Sequence, residues 1–404
     1  MAQQEAIPVY KRGNGTQTFY VPAFEIKMQG HGLPRNVLRD VTQVTYKDSV
    51  NEMDYVELVI NNWDATARKF KYVGLDDKDL KPGYKGLFNP GQEVQVRMGY
   101  QQPLAGSGGQ SPLKLMMVGK IDTLEQDFPN AGSPTLNVRA YNILNSFRKQ
   151  QHTYTWENKR DSEIAVDLGN RAVSKDKPGL GIEVRVGDKA QDEPQEPIVF
   201  MQNQFDILFL LERARRHGYS VYLDEELQNG KVKRFLYFGL SDTDTYITYK
   251  LEWGKSLVQF RPTLTTANQV IQVTVRGFDQ RSKSPIEATA KWGDAGTRIN
   301  LDLKDLVIKH LDGRGNDVVN HPVHTIQQAR AMAKDLLLGH LKEMLKASGA
   351  TVGLPDLRAG RTAQIGGLGK YFSGTYFITD TTHTIGSDGY RTTFNARRED
   401  TSQQ

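Results

Sequence analysis

Phe24-Glu25-Ile26-Lys27-Met28 alternates apolar and charged residues with a period of two. That spacing sends three side chains to one face of a strand and two to the other. The alternation returns at Val56, Leu58 and Ile60 around Glu57, at Val94, Val96 and Met98 around Gln95 and Arg97, and at Leu136, Val138 and Ala140 around Asn137 and Arg139. Four half-buried strands at the start of the chain predict a barrel or a sandwich. The Gly/Pro-rich run Pro103 to Pro112 has nothing to pack and reads as an exposed loop between strands.

Beyond Tyr141 the period changes. Helices are predicted over 161–173 and 204–217, each followed by short strands. In the second, Ile207, Leu210, Leu211 and Ala214 share a face, Glu212, Arg213, Arg215 and Arg216 lie mostly elsewhere as a solvated face, and Gly218 supplies the stop. Two polar connectors broken by proline, Asp176 to Gly179 and Gln191 to Pro197, separate these pieces. Strands resume near Ser256, with Ile271, Val273 and Val275 alternating with Gln272, Thr274 and Arg276. The longest helix follows, over 325–346. Thr325 and Gln328 form its capping box, and Ala329, Met332, Ala333, Leu336, Leu337, Leu341 and Met344 form its apolar stripe, read as core with a subunit interface as the functional alternative. A hairpin around Ser387-Asp388-Gly389 closes the chain.

The two β-rich regions share an order of features. The first runs from the Val56–Ile60 strand through Trp63-Asp64, Gly91, Gly119 and a last strand ending at Arg139. The second runs from Ile271–Val275 through Phe278-Asp279, Gly360, Gly374 and a last strand ending at Arg397. The order matches and the spacings do not, which leaves both a duplicated module and chance similarity open.

Composition bounds the function. A chain of 404 residues, 25% charged and 38% hydrophobic, is a folded soluble protein of two or three domains. Its 52 basic and 47 acidic residues are interleaved with no polybasic block, so a net charge of +5 points to no specific nucleic-acid partner. The absence of cysteine excludes disulfides, thiolate metal sites and cysteine nucleophiles, and fits assembly in a reducing cytoplasm. Met1 to Glu5 lacks a signal-peptide pattern, and no apolar stretch is long enough to span a membrane, so no stable membrane insertion is expected.

The search for chemistry yields no catalytic, cofactor-binding or metal-binding residue. His310, His321 and His324 form the one histidine cluster, but Pro322 spoils the geometry and no third ligand accompanies them. Ile365 to Tyr371 imitates a phosphate loop, yet Gln364 stands where its first glycine belongs and Tyr371 where the magnesium-binding Ser or Thr belongs, so a β-turn is expected. The acidic runs Asp224-Glu225-Glu226 and Asp76, Asp77, Asp79 read as solvated turns, and the arginines of the 204–217 helix as a solvated helix face. No Gly-x-Ser-x-Gly elbow is present.

The C-terminal succession Leu357 to Gly367, Phe372 to Thr379, His383 and Asp388 to Arg398 resembles the closing segment of phage late control gene D proteins, the baseplate hub proteins of contractile tails and the hub part of valine-glycine repeat spike proteins. Arg139 to Leu144, Asp161 to Ala165 and Phe205 to Tyr219 look like that family too. The resemblance implies an α+β, mostly β chain with two tube-like β-barrel domains, 1–140 and 256–404, flanking a smaller α/β domain at 141–255. It implies a homotrimer whose six barrels join a six-fold tail tube to a three-fold spike. Its partners would be the tail tube protein, other baseplate proteins and the tape measure protein. Because the chain ends at Gln404 without a spike domain, the spike is expected to be a separate polypeptide. Assembly in the bacterial cytoplasm would precede a mature form in a virion tail or extracellular injection particle. Two rivals stand against this: a carbohydrate-active enzyme using the central domain, and a plain six-fold tube component.

Overall fold

A computed structural model describes residues 7–8, 21–73, 86–101, 113–148, 150–171, 179–187, 193–229, 231–241, 247–267, 269–279, 282–311, 315–320 and 323–400. The loop expected at Pro103 to Pro112, most of the connector at Asp176 to Gly179, and Asp76, Asp77, Asp79 and His321 lie outside the described residues.

Strand Pro22–Met28 carries the opening alternation, with Ile26 and Met28 buried. It pairs with Glu93–Tyr100, whose Val94, Val96 and Met98 point into the same core. The sheet continues through Lys114–Asp127, Thr135–Asn142, Tyr55–Asn61 and Val41–Ser49, all antiparallel. The sequence alternations are its inner face: Val56, Leu58, Ile60, Leu136, Val138 and Ala140 are all essentially inaccessible to water. The chain is mostly β, with helices added to antiparallel sheets.

The second β region repeats this pattern. Its strands, in spatial order, are Ile247–Glu252, Thr362–Gly366, Gly374–Gly386, Gly389–Arg398, Leu345–Val352 and Leu257–Leu264. Listed by place in the chain, both regions run first, fourth, fifth, sixth, third, second across the sheet. Only the first pairing differs, being parallel in the second region. Two β-bulges coincide as well. The extra residue is Thr42 against Tyr55–Asn61 and Val258 against Leu345–Val352. It is Asp122 against Thr135–Asn142 and Thr379 against Gly389–Arg398. Bulges set local twist and register, so shared bulge positions make the two halves equivalent strand by strand.

This corrects two of the sequence correspondences. Ile271–Val275 is not the counterpart of Val56–Ile60, nor Phe278-Asp279 of Trp63-Asp64. Residues 272–275 and Phe278-Asp279 lie together in strand Gln272–Asp279, in a separate three-stranded sheet with Ser284–Lys291 and Asn316–Asn320. The true counterpart of Tyr55–Asn61 is Leu345–Val352, whose sequence LKASGATV shows little strand pattern. Its small residues are required by packing: a Cβ on Gly349 would meet the Phe394 ring at 2.4 Å.

Helix Ile326–Glu343 covers the small sheet with Ala329, Ala333, Leu337 and Leu341 buried, and Met332 and Leu336 packed at the edge of that core. It stops short of the expected 346 because Leu345 begins a strand paired on both sides. Thr325 Oγ1 accepts from Gln328 N at 3.1 Å. The return arm of the capping box reaches one residue further back, Gln328 Oε1 accepting from His324 N at 3.1 Å. The other two predicted helices are Asp161–Asn170 and Asp206–Arg216. They pack with the ribbon His152–Lys159/Glu196–Gln204 and a three-stranded sheet around a third core that includes Leu168, Leu210 and Phe238. The closing hairpin joins Gly374–Gly386 to Gly389–Arg398 through Ser387-Asp388, with Gly389 at φ +94°. No helix among the described residues is long and apolar enough to cross a membrane.

Candidate functional site

The two β regions meet edge to edge. Val41–Ser49 pairs antiparallel with Gly374–Gly386, from Val44 opposite Ile385 to Ser49 opposite Asp380, merging both into one sheet of 14 strands. Beneath this seam lies a buried polar network. Arg358 Nε donates to Asp48 Oδ2 at 2.6 Å, its Nη2 donates to Tyr46 Oη and to the Met116 carbonyl, and Thr381 Oγ1 donates to Asp48 Oδ1. Ala359 N adds a further bond to Asp48 Oδ2 at 3.2 Å. A cation and several donors thus surround the buried Asp48 carboxyl and satisfy its oxygens. Nearby Asp54 is pushed up by burial and by the Asp48 charge, although Asn142 and the Ser49 amide donate to it.

His383 sits in the same seam, inaccessible to water. Its Nε2 lies 3.0 Å from the Leu357 carbonyl, so Nε2 carries the proton. Nδ1 therefore accepts, with the Tyr390 hydroxyl at 3.0 Å. Burial drives its pKa down to about 4, so the imidazole is neutral.

A second joint fixes the middle region to the long helix. His217 stands between Asp161, 2.9 Å from Nε2, and Asp335, 3.1 Å from Nδ1. Burial alone lowers its pKa, but these two hydrogen bonds and their charges overcome that and hold it up at about 10. Arg213, at 2.6 Å, shares Asp161. Lys342 Nζ donates to the Gly218 carbonyl at 3.3 Å. Glu225 reaches the first β region, accepting from Val118 N at 2.8 Å and from Arg234 at 2.8 Å.

Two sequence expectations fail here. Arg213 is buried rather than solvated, because Asp161 caps its charge. Asp224-Glu225-Glu226 is strand, within Ser220–Gln228, and Glu225 is enclosed. The other flagged residues do not converge. His310 is exposed on helix Lys304–Leu311, with Nδ1 3.0 Å from the Leu306 carbonyl, and His324 sits at the start of the long helix. Among the described residues no three metal-ligating side chains gather. After Ile365 the chain turns through Gly367 into the four-residue helix Gly369–Phe372 rather than a simple β-turn.

One cavity went unnoticed in the sequence. A space of about 570 Å³ is lined by Phe147, Leu180 and Ile182 together with Ser146, His152 and Asp206. His152 Nδ1 lies 2.9 Å from Asp206 Oδ1, while His152 Nε2 is buried and without a partner among the described residues. Burial raises the Asp206 pKa against the opposing pull of His152. Ser146 Oγ donates to the Ile143 carbonyl at 2.6 Å, so its hydroxyl is engaged with backbone and no Ser-His-Asp relay is assembled. His152 and Asp206 are 54 residues apart, a separation at which no motif could announce the pair.

The fold is that of phage tail proteins and type VI secretion components. The 43 kDa tail protein of prophage MuSo2 from Shewanella oneidensis is similar with a TM-score of 0.61 at 12% identity, over 93% of this chain and 98% of that one. A tail protein from Neisseria meningitidis MC58 gives 0.61 at 12% identity, over 94% and 97%. The E. coli c3393 protein, a component of the type VI secretion system with structural similarity to the T4 tail proteins gp27 and gp5, gives 0.53 at 12% identity, over 92% and 76%. By sequence, the chain belongs to the family described as the Alg8 N-terminal domain, whose model matches residues 19–387. No curated protein matches it.

Proposed function

We propose that this protein is a structural hub of a contractile injection machine, of the late control gene D type, acting as a trimeric adaptor between a six-fold tail tube and a three-fold spike. The observation that carries this reading is the repeated six-strand pattern with its shared bulges, fused into one sheet at the seam. Two equivalent units per chain allow three copies to present six positions, which is what a ring matching six-fold to three-fold symmetry requires. The likeness in fold to tail proteins of comparable length supports it. On this reading, residues 1–140 and 256–404 are tube-like barrel domains and 141–255 an α/β insert. The partners are the tube protein, a separate spike, other baseplate proteins and the tape measure protein. The protein would assemble in the bacterial cytoplasm and work in a virion tail or injection particle, without catalysis.

Native mass spectrometry of the full chain, alone and with candidate spike and tube proteins, tests this. A three-copy species that binds the spike is expected, and a monomer under every condition would overturn it.

A carbohydrate-active enzyme is the second reading, and the cavity holding His152 and Asp206 is what favours it. Turnover of cell-wall polymers, abolished by Asp206→Asn, would establish that reading instead.

A further inference from the structure

The seam inside the chain joins the second strand of the first β unit to the fifth strand of the second. The strand equivalences therefore define a complementary pair of edges: the second strand of the second unit, Leu257–Leu264, and the fifth strand of the first, Lys114–Asp127. Both are open where the seam would require it. Among the described residues, Leu257–Leu264 pairs along one edge only, with Leu345–Val352. Among the described residues, Lys114–Asp127 is bonded on that side to Glu93–Tyr100 and to Gly91 and Gln92 as far as Ile121, and no strand pairs with that edge from Asp122 to Asp127.

We infer that copies of this chain join head to tail by strand addition, Leu257–Leu264 of one copy pairing antiparallel with residues 123–128 of the next, in the register of the internal seam. The inference rests on the ring-forming role proposed above and supplies its contact.

The bulges fix that register. Thr42 corresponds to Val258 and Asp122 to Thr379. Counting from them, the seam rung Asp48–Thr381 becomes Leu264 opposite Leu124, Thr45–Thr384 becomes Arg261 opposite Asp127, and Val44–Ile385 becomes Phe260 opposite Phe128.

The side chains at these positions suit one another. In the internal seam Val44, Tyr46 and Asp48 are inside with Thr381, His383 and Ile385. Their counterparts on the inner face of the free edges include Phe260, Leu264 and Leu124, all half-buried, and Phe128, 63% exposed. Apolar side chains half-covered at an open strand edge gain most from a neighbour. On the outer face, exposed Arg261 meets exposed Asp127 as an opposite-charge pair, and exposed Thr263 meets exposed Glu125. Pro262 has no N–H, so the ladder is at most one bond short there. The two edges differ, which makes the contact heterologous, the kind that closes into rings.

The chain lacks cysteine, so paired cysteines test the register cleanly. In the full chain, Leu124→Cys with Leu264→Cys should give chains linked into covalent oligomers under mild oxidation, whereas either single variant should not. Leu124→Cys with Thr263→Cys, slipped by one residue to the opposite face, should link at least about tenfold more slowly. In parallel, Arg261→Glu or Asp127→Arg should weaken self-association about tenfold, and the two together should restore it. A stable oligomer with no cross-link at the predicted pair, or no rescue by the charge swap, overturns the inference while leaving the hub reading intact. A chain that stays monomeric with its tail partners present overturns both.

Discussion

Arg358 and Asp48, 310 residues apart, form a buried ion pair with Nε 2.6 Å from Oδ2, directly under the seam that fuses the two β units. The carboxylate also holds Thr381 and the Ala359 amide, so its removal would orphan three donors of the second unit at once. Asp48→Ala is expected to cost about 3–5 kcal/mol, because an unpaired buried guanidinium is worse than no pair at all. The double change Asp48→Leu with Arg358→Met should cost clearly less than Asp48→Ala. Urea denaturation of the three proteins checks the order.

His383 gives the seam an acid limit. In the unfolded chain an imidazole titrates near its ordinary value of 6.5, and in the seam at about 4. Above the higher value both states are neutral and nothing changes. As pH falls from 6.5 toward 4 the unfolded chain takes up a proton that the folded chain refuses, so stability drops, by about 3 kcal/mol in all from this group. His383→Gln should flatten that part of the stability–pH curve. Nitrogen chemical shifts at pH 6 should show the neutral Nε2–H form.

His217 works in the opposite sense. Its pKa in the fold, about 10, lies above the unfolded value of 6.5, so its contribution is complete below 6.5 and is lost as pH rises through 10. The stability gap between the parent chain and His217→Gln should be widest near pH 6 and shrink steadily toward pH 10. Thermal melts across that range read it directly. Asp335→Asn should reduce the same gap, since Asp335 holds the imidazolium from the long helix.

Gly360 is set where backbone and packing both demand glycine. Its φ is +80°, and a Cβ would meet the Tyr222 ring at 2.5 Å, on the face where the middle region docks. Gly389, at φ +94° in the closing hairpin, has open space around it. Gly389→Ala should cost only the backbone strain, about 1–2 kcal/mol. Gly360→Ala should cost more, and should raise proteolytic cutting between the middle region and the sheets.

Four strands of the first β unit were legible because each has one wet and one dry face, and period-two alternation is the direct trace of that; Val41–Ser49 and Lys114–Asp127 were not read. Leu345–Val352 was not legible. It is crowded by Phe394 and so selects small residues, which makes its alternation of buried Leu345 and Ala347 with exposed Lys346 and Ser348 too weakly apolar to stand out. Taking Ile271–Val275 as the counterpart of Val56–Ile60 followed from trusting alternation alone. The joints were hidden for a different reason. Asp48, Arg358 and Thr381, or Asp161, His217 and Asp335, are meaningful only once distant strands and helices meet. Several of them nonetheless fall inside the stretches that carried the family resemblance: Arg358, Gly360 and His383 near the C-terminus, Asp161 and His217 in the middle. Those stretches hold the regions to one another.

The seam also sets a timetable for synthesis. Asp48 and Thr381 are separated by 333 residues, so strand Val41–Ser49 emerges from the ribosome long before its partner exists. At about 5–20 residues per second, its edge waits roughly 15–70 seconds with unpaired backbone and a charged aspartate that has no arginine to meet. During that interval the nascent first unit carries an adhesive border suited to binding the wrong strand, including those of neighbouring nascent chains. Yield at low temperature, slow translation or co-expressed chaperones therefore acts on this one border, and completion of the chain is what makes the molecule safe to accumulate.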